Sequence, residues 1–304
     1  MSKNTIKQHY VWREYLRSFC FKDDLTFSLI NKTKIVPNNL TNVAQERFFY
    51  KLHDINEEEY LFLNNFINYS IKDDNELKEY LQTVLSSYLA TILKKNIKEE
   101  SIKKTFEKEV QNDFFERHMT QNEKLGKKLI KVDNLLQLKD CFNSKNRFKT
   151  VLFLSIQLVR TKKQKKKLLE EFKNHKINFE KIWFFISFSI GNILAYNVIR
   201  IRKLKVSFLI NKSGIEFITS DQPVVNRESQ LDENGFAKYF KLYLPISPIN
   251  AIILDFESKQ DLFEEINISD EKEVKMLNQN IIDESDMFIF SKNKEYLEII
   301  KSST

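Results

Sequence analysis

His9 opens the chain's chemistry, in the run Gln8-His9-Tyr10-Val11-Trp12-Arg13. With Arg13 four positions on, the two side chains share one face of any helix formed there. Such a histidine can act as general base, general acid or phosphate donor, with Arg13 stabilising an anion. A structural alternative uses the same residues, with His9 bonded to a buried carbonyl and Arg13 to a carboxylate. Asp221, in Ile218-Thr219-Ser220-Asp221-Gln222-Pro223-Val224, follows an expected strand. Its carboxylate suits a base or metal ligand at a strand end, or equally an Asx-type turn fixed by Pro223. Ser220 belongs to the same turn.

A second group sits mid-chain. Gln157 and Arg160 lie one turn apart on an expected helix whose other face is Leu152, Ile156 and Val159. At the apolar edge, Arg160 requires a buried partner or an anion. Thr161-Lys162-Lys163-Gln164-Lys165-Lys166-Lys167 follows at once. Clustered lysines are the footprint of phosphate-backbone binding, with Lys162 and Lys163 nearest Arg160, though a solvated helix face has the same composition.

These residues must be positioned by three stretches. Residues 1–56 are mixed, with a short helix near Val11–Phe19 and a hairpin, Leu25–Ile30 turning at Asn31-Lys32-Thr33 into Lys34–Val36. Val43–Leu52 returns as helix or extended chain. Residues 57–203 carry apolar residues at helical spacing, with helices over about 75–97, 101–118, 144–172 and 178–203. No proline occurs between Pro37 and Pro223, as a helical block requires when an interior proline costs about 3 kcal/mol. Residues 204–304 switch to period-two runs at Lys205–Ile210, Ile215–Ile218, Lys241–Leu244, Ala251–Leu254 and Met287–Ser291. Asn226–Phe240 reads as a loop or wide hairpin, and Ser269 as the cap of a helix from Asp270 to about Asp283. The expected fold is one α+β domain over 1–304. A large central helical block packs on a C-terminal, mostly antiparallel β-sheet that the N-terminal hairpin is free to join.

Composition closes several routes. The four glycines, Gly126, Gly191, Gly214 and Gly235, are too far apart for a phosphate-binding glycine loop or a dinucleotide turn. HExxH, GxSxG, paired CxxC and EF-hand patterns are absent; Cys20 and Cys141 fit a reducing cytosol. No metal ligand set or cofactor motif can be assigned. Ile182–Ile201 approaches the length of a membrane span, but Ser187, Ser189, Asn192 and Asn197 favour a buried core helix. The expected setting is cytoplasmic, away from membranes. Charge is divided: residues 94–176 hold 23 Lys/Arg against 11 Asp/Glu, net +12, and residues 220–304 hold 9 against 17, net −8. Such asymmetry means either a basic face for a polyanion or two parts that attract each other.

The ordered motifs resemble the mostly bacterial family catalogued as domain of unknown function 4238. Its opening element matches His9-Tyr10-Val11-Trp12-Arg13-Glu14-Tyr15-Leu16-Arg17-Ser18-Phe19, with Trp12 where a proline is usual. Glu46-Arg47-Phe48-Phe49-Tyr50 follows, then Gln157, Arg160 and Thr161 with Lys162 replacing a second proline. Ser220-Asp221-Gln222-Pro223-Val224, Pro245-Ile246-Ser247-Pro248 and Asn278 complete the pattern. The resemblance implies no settled activity, but it groups His9, Glu46, Gln157, Arg160 and Asp221.

The leading expectation is a nuclease-like enzyme acting on a nucleic-acid phosphodiester, in a toxin or phage-defence setting. His9 serves as acid/base, Asp221 and Glu46 orient it or hold a metal, and Arg13 and Arg160 stabilise the phosphate. Two alternatives use the same residues: a non-catalytic pocket for a nucleotide, nucleic acid or acidic peptide, and a ligand-free buried ion network.

Overall fold

The structure is a computed structural model and describes residues 7–201, 203–228 and 240–303. At the N-terminal end stand β1 (Lys7–His9), α1 (Arg13–Leu16, continued as a tight turn through Phe19), β2 (Leu25–Ile30), β3 (Lys34–Asn39) and β4 (Gln45–Arg47). The hairpin turn places Asn31 and Lys32 in the left-handed region, at φ 48° and 57°. β4 is extended and pairs antiparallel with β1, Gln8 opposite Glu46. Buried Gln8 anchors β1: its amide donates to the Asn112 carbonyl at 2.8 Å and its oxygen accepts from the Tyr50 N–H at 2.7 Å.

The helical block holds α2 (Glu57–Ser70), α3 (Asn75–Leu93), α4 (Glu100–Phe106), α5 (Phe114–Gly126), α6 (Leu135–Cys141), α7 (Arg147–Val159), α8 (Lys162–Glu171) and α9 (Phe179–Ile201). Two helices expected as continuous are broken. A π-helical turn at Glu107–Asn112 separates α4 from α5, so the inward stripe becomes Gln111, Phe115 and Met119, and Ile102 is left exposed. α7 ends before Arg160, and Thr161 caps α8 by accepting from the Gln164 N–H at 3.4 Å.

α9 is the central helix, with Ile182, Trp183, Phe184, Phe185 and Ile186 all buried. Among the described residues Phe179–Arg200 is the one helix long and apolar enough to cross a membrane. Here α7, α8, α3 and α2 pack around it, and Asn192 donates to the Phe188 carbonyl at 2.8 Å. Gly191 lets α7 approach closely, since a Cβ there would lie 2.7 Å from the Ile156 side chain.

The C-terminal part contains β5 (Lys203–Asn211), β6 (Thr219–Ser220), β7 (Val225–Asn226), β8 (Lys241–Pro245), β9 (Asn250–Ser258), β10 (Leu262–Ile268), α10 (Glu271–Glu284), β11 (Phe288–Ser291) and α11 (Lys294–Ser303). They form two sheets rather than one. The larger has order β10-β5-β9-β8-β7 and is antiparallel except for the parallel β10–β5 pair. The smaller has order β3-β2-β11-β6, so the N-terminal hairpin joins the C-terminal strands with Ile30 opposite Phe288. The fold is α+β, with the helical block preceding the C-terminal sheet.

Details of this part differ from the sequence pattern. Ile215–Ile218 is not a strand; the Ile218 N–H donates to the Asn278 side chain at 3.1 Å instead of to a neighbouring strand. Asp270, not Ser269, caps α10. Most of the expected 226–240 loop, Gly235 included, lies outside the described residues. One buried apolar cluster runs from Tyr10 through Phe115, Leu154 and Phe185 to Val206, Ile252 and Phe290. A second lies under α10 and α11 around Leu29, Phe217, Val274, Ile281 and Leu297.

Candidate functional site

A cleft of about 530 Å³ opens between the N-terminal segment and α5. Lys7, His9, Trp12, Arg13, Glu14 and Arg17 form one wall; Glu116, Thr120 and Glu123 form the other. Each wall follows from local geometry. Arg13 and Arg17 are one turn apart where α1 runs into its tight turn, while Glu116, Thr120 and Glu123 recur at i, i+4 and i+7 on α5. His9 is held by a strand rather than a helix, so it meets Arg13 across the β1–α1 bend and not on one helical face.

Electrostatics divide the two proton-transfer candidates. His9 is pushed down to about 4, first by burial and then by the Arg13 charge, against a hydrogen bond from the ring to the Val43 backbone. Its Nδ1 is buried without a hydrogen-bond partner among the described residues. Glu116 is pushed up to about 7, first by burial and then by Glu123, with Arg160 opposing. Its Oε2 is also buried and without a partner among the described residues. At neutral pH the cleft therefore holds a neutral imidazole with a free ring nitrogen and a carboxyl group near half-protonation. Arg17 is engaged by Glu14 and Asp24. Arg13 and Lys7 have no carboxylate partner among the described residues, leaving two positive charges to meet an anion.

Arg160 lies beneath this cleft rather than on its wall. It is fully buried and donates from Nη2 to Glu123 Oε1 at 2.8 Å; Nε and Nη1 have no hydrogen-bond partner among the described residues. One turn earlier, Gln157 donates to the Asn122 side chain at 3.3 Å. Both residues of this element thus clamp α7 to α5.

Other expected site residues stand apart from the cleft. Asp221 is buried, and its two oxygens accept from the N–H groups of Asp286 at 2.8 Å, Met287 at 2.8 Å and Phe288 at 3.1 Å. Burial pushes this carboxyl up to about 6 although all three amides pull it down. Through these three bonds Asp221 fixes the segment joining α10 to β11, as the turn reading of this residue expects. Ser220 closes a local turn, its Oγ accepting from the Gln222 N–H at 3.1 Å. Glu46 faces Lys162 at 2.9 Å on β4, not His9.

The lysine run is neutralised residue by residue. Lys163 pairs with Glu284 at 3.0 Å and donates to the Asp283 carbonyl at 2.9 Å. Lys165 pairs with Glu180 at 2.6 Å, Lys166 with Asp286 at 2.7 Å and Lys167 with Glu284 at 3.4 Å. These lysines hold α8 against acidic groups of this chain, chiefly at the end of α10. Among the described residues no group of three or more His, Cys, Asp or Glu side chains could hold a metal ion.

The motif positions follow one pattern over nearly the whole length, and the model of the family described as "Protein of unknown function (DUF4238)" matches residues 7–295. The chain belongs to the DUF4238 family. No curated protein and no solved structure matches it. In this DUF4238 chain most of the recurring polar residues brace the fold. Thr161 donates to the Gln222 side chain, whose amide reaches the Leu158 carbonyl at 3.0 Å, tying the α7–α8 break to the Ser-Asp-Gln-Pro-Val turn. Asn278 likewise donates to the Glu216 carbonyl at 2.8 Å. His9 and Arg13 alone of the expected residues line the cleft. Glu116, Thr120 and Glu123 belong to no quoted motif; their one sequence signal is their spacing on a single helical face.

Proposed function

We propose that this chain cleaves RNA phosphodiesters by general acid–base catalysis in the His9 cleft. The observation that carries the reading is that His9 and Glu116 line one cleft with Arg13 and Lys7, two cations without a carboxylate partner among the described residues; the opposite displacement of His9 and Glu116 fits it. RNA supplies its own nucleophile, the 2′-hydroxyl, already held beside the phosphorus, so two proton transfers and phosphate binding suffice. The neutral His9 imidazole takes the 2′-hydroxyl proton as the oxygen bonds to phosphorus. The P–O5′ bond breaks, and the leaving 5′-oxygen takes the Glu116 proton. The products are a 2′,3′-cyclic phosphate and a 5′-hydroxyl, and solvent returns the protons. Arg13 and Lys7 neutralise the phosphoryl oxygens, and Trp12 forms part of the cleft wall. This reading sets the chain in the cytosol, where free Cys20 and Cys141 are chemically at home.

The test is cleavage of a labelled RNA oligonucleotide, with the all-deoxy strand as control. His9→Ala and Glu116→Gln are each expected to lower kcat by about 100-fold or more, and the deoxy strand is expected to survive. Undiminished cleavage by both variants overturns the proposal. Salt-sensitive binding with no turnover favours the second reading, a non-catalytic anion pocket, which Arg13 and Lys7, without carboxylate partners among the described residues, also suit.

A further inference from the structure

A second hollow lies near the Glu14 and Glu123 end of the cleft. Lys131 reaches Glu14 at 3.7 Å, and Lys124 follows Glu123 in the chain. The hollow encloses about 590 Å³ around Lys124, Lys127, Lys128 and Lys131, with Leu136 and Cys141 among its lining. This hollow differs from the α8 lysines in the feature that matters. There every lysine faces a carboxylate of the same chain; here Lys124 and Lys127 face none among the described residues, and Lys128 has only exposed Asp140 at 3.3 Å. Leu136 is 78% exposed, an apolar surface at the mouth of a cationic ring. Cys141 is a buried apolar contact here, its thiol pushed up to about 11 by burial and so protonated.

We infer that this lysine-ringed hollow is a subsite for a single-stranded RNA, holding the phosphates and one base next to the nucleotide in the His9 cleft. Charge and shape both fit that occupant. A strand crossing from one hollow to the other carries repeated phosphates past Lys124 and Lys127, which face no carboxylate among the described residues, and its base has an apolar face to lay on Leu136. The inference rests on the proposed RNA cleavage for its substrate, and it makes that substrate a strand rather than a mononucleotide.

The test is fluorescence anisotropy of a labelled 2′-O-methyl RNA dodecamer, which binds without being cleaved, across a salt series on the full chain. Lys124→Gln/Lys127→Gln is expected to flatten the salt dependence by about 1.4, at about 0.7 per phosphate, and so to weaken binding about 25-fold per decade of salt below 1 M. Lys98→Gln/Lys104→Gln, exposed lysines outside the hollow, is expected to leave the slope unchanged, as is cleavage of a dinucleotide by the first pair. An unchanged slope in Lys124→Gln/Lys127→Gln overturns the subsite, even where His9→Ala abolishes cleavage. A flattened slope with no cleavage by any form supports the subsite and overturns the catalytic reading instead. Displacement of the RNA by polyglutamate at equal concentration overturns the nucleic-acid assignment in favour of an acidic peptide.

Discussion

His9 and Glu116 depart from their ordinary values for one shared reason: the cleft is half-dry, and burial disfavours whichever form is charged. For an imidazole this favours neutrality, and for a carboxyl it favours the proton. The pH profile follows from that sign. The neutral His9 fraction rises through about 4 and the protonated Glu116 fraction falls through about 7. RNA cleavage is expected to be level between these values and to fall tenfold per unit above the upper one. Glu123→Gln removes the charge that repels the Glu116 carboxylate and frees Arg160 to attract it. Both effects lower the Glu116 value, so the upper limb is expected to move down by about one unit; a limb that stays fixed assigns it to another group. Stability carries the same signature. Because its folded value is raised, Glu116 contributes stability at low pH that is lost as pH rises through about 7. Thermal melts of Glu116→Gln are therefore expected to show a gain of about 1–3 kcal/mol over the parent chain at pH 8, vanishing near pH 4. At this scale the sequence is half-legible. His9 and Arg13 could be named because an unusual run announces them, whereas Glu116 and Glu123 look like any helical glutamates until folding removes their water.

Among the elements, α8 shows how a charge run changes meaning with its neighbours. The amphipathic pattern over 144–172 is continuous, so nothing local announces the break at Thr161. The break is fixed from outside, by the Thr161 hydroxyl meeting Gln222 sixty-one residues away. Once α8 turns there, Lys163, Lys166 and Lys167 face Glu284 and Asp286. Asp221 completes the arrangement by clamping the backbone of Asp286, Met287 and Phe288. The lysines and Asp221, distant in sequence, thus hold one short segment. Individual exposed ion pairs contribute about 0.2–1 kcal/mol, so single lysine deletions are expected to have little effect. Asp221→Ala strips partners from three backbone amides, and urea titration is expected to show a loss of about 2–4 kcal/mol. A loss below about 1 kcal/mol would mean that solvent reaches those amides and that the brace is not structural. The π-helical turn before α5 escaped the periodicity for a related reason: one extra residue per turn shifts the buried stripe while leaving the composition unchanged.

For the whole molecule, the division of charge now has two separate uses. Lys163, Lys166 and Lys167 of α8 serve the attraction between the helical block and the acidic C-terminal part, and Lys124 and Lys127 have no carboxylate partner among the described residues. Net charge could not distinguish them, because it sums over positions that the fold sends to different faces. The alternation of apolar residues did show the α+β order, but not how the chain's ends meet. β2 and β11, central neighbours of the smaller sheet, come from opposite ends of the sequence, and no local pattern records that pairing. It has a mechanical consequence. Residues 204–304 taken alone retain β11 with only two-residue β6 beside it, and expose the faces of Val206, Ile252 and Leu254 that the main core buries. Two short strands with one face in water are marginal at best. The fragment 204–304 is therefore expected to show no cooperative thermal transition by circular dichroism, while the full chain melts in one step with coincident fluorescence and far-ultraviolet midpoints. A sharp independent melt of the fragment would make the C-terminal part an autonomous unit and the shared sheet a docking contact. Its absence would mean that the N-terminal hairpin completes the C-terminal fold.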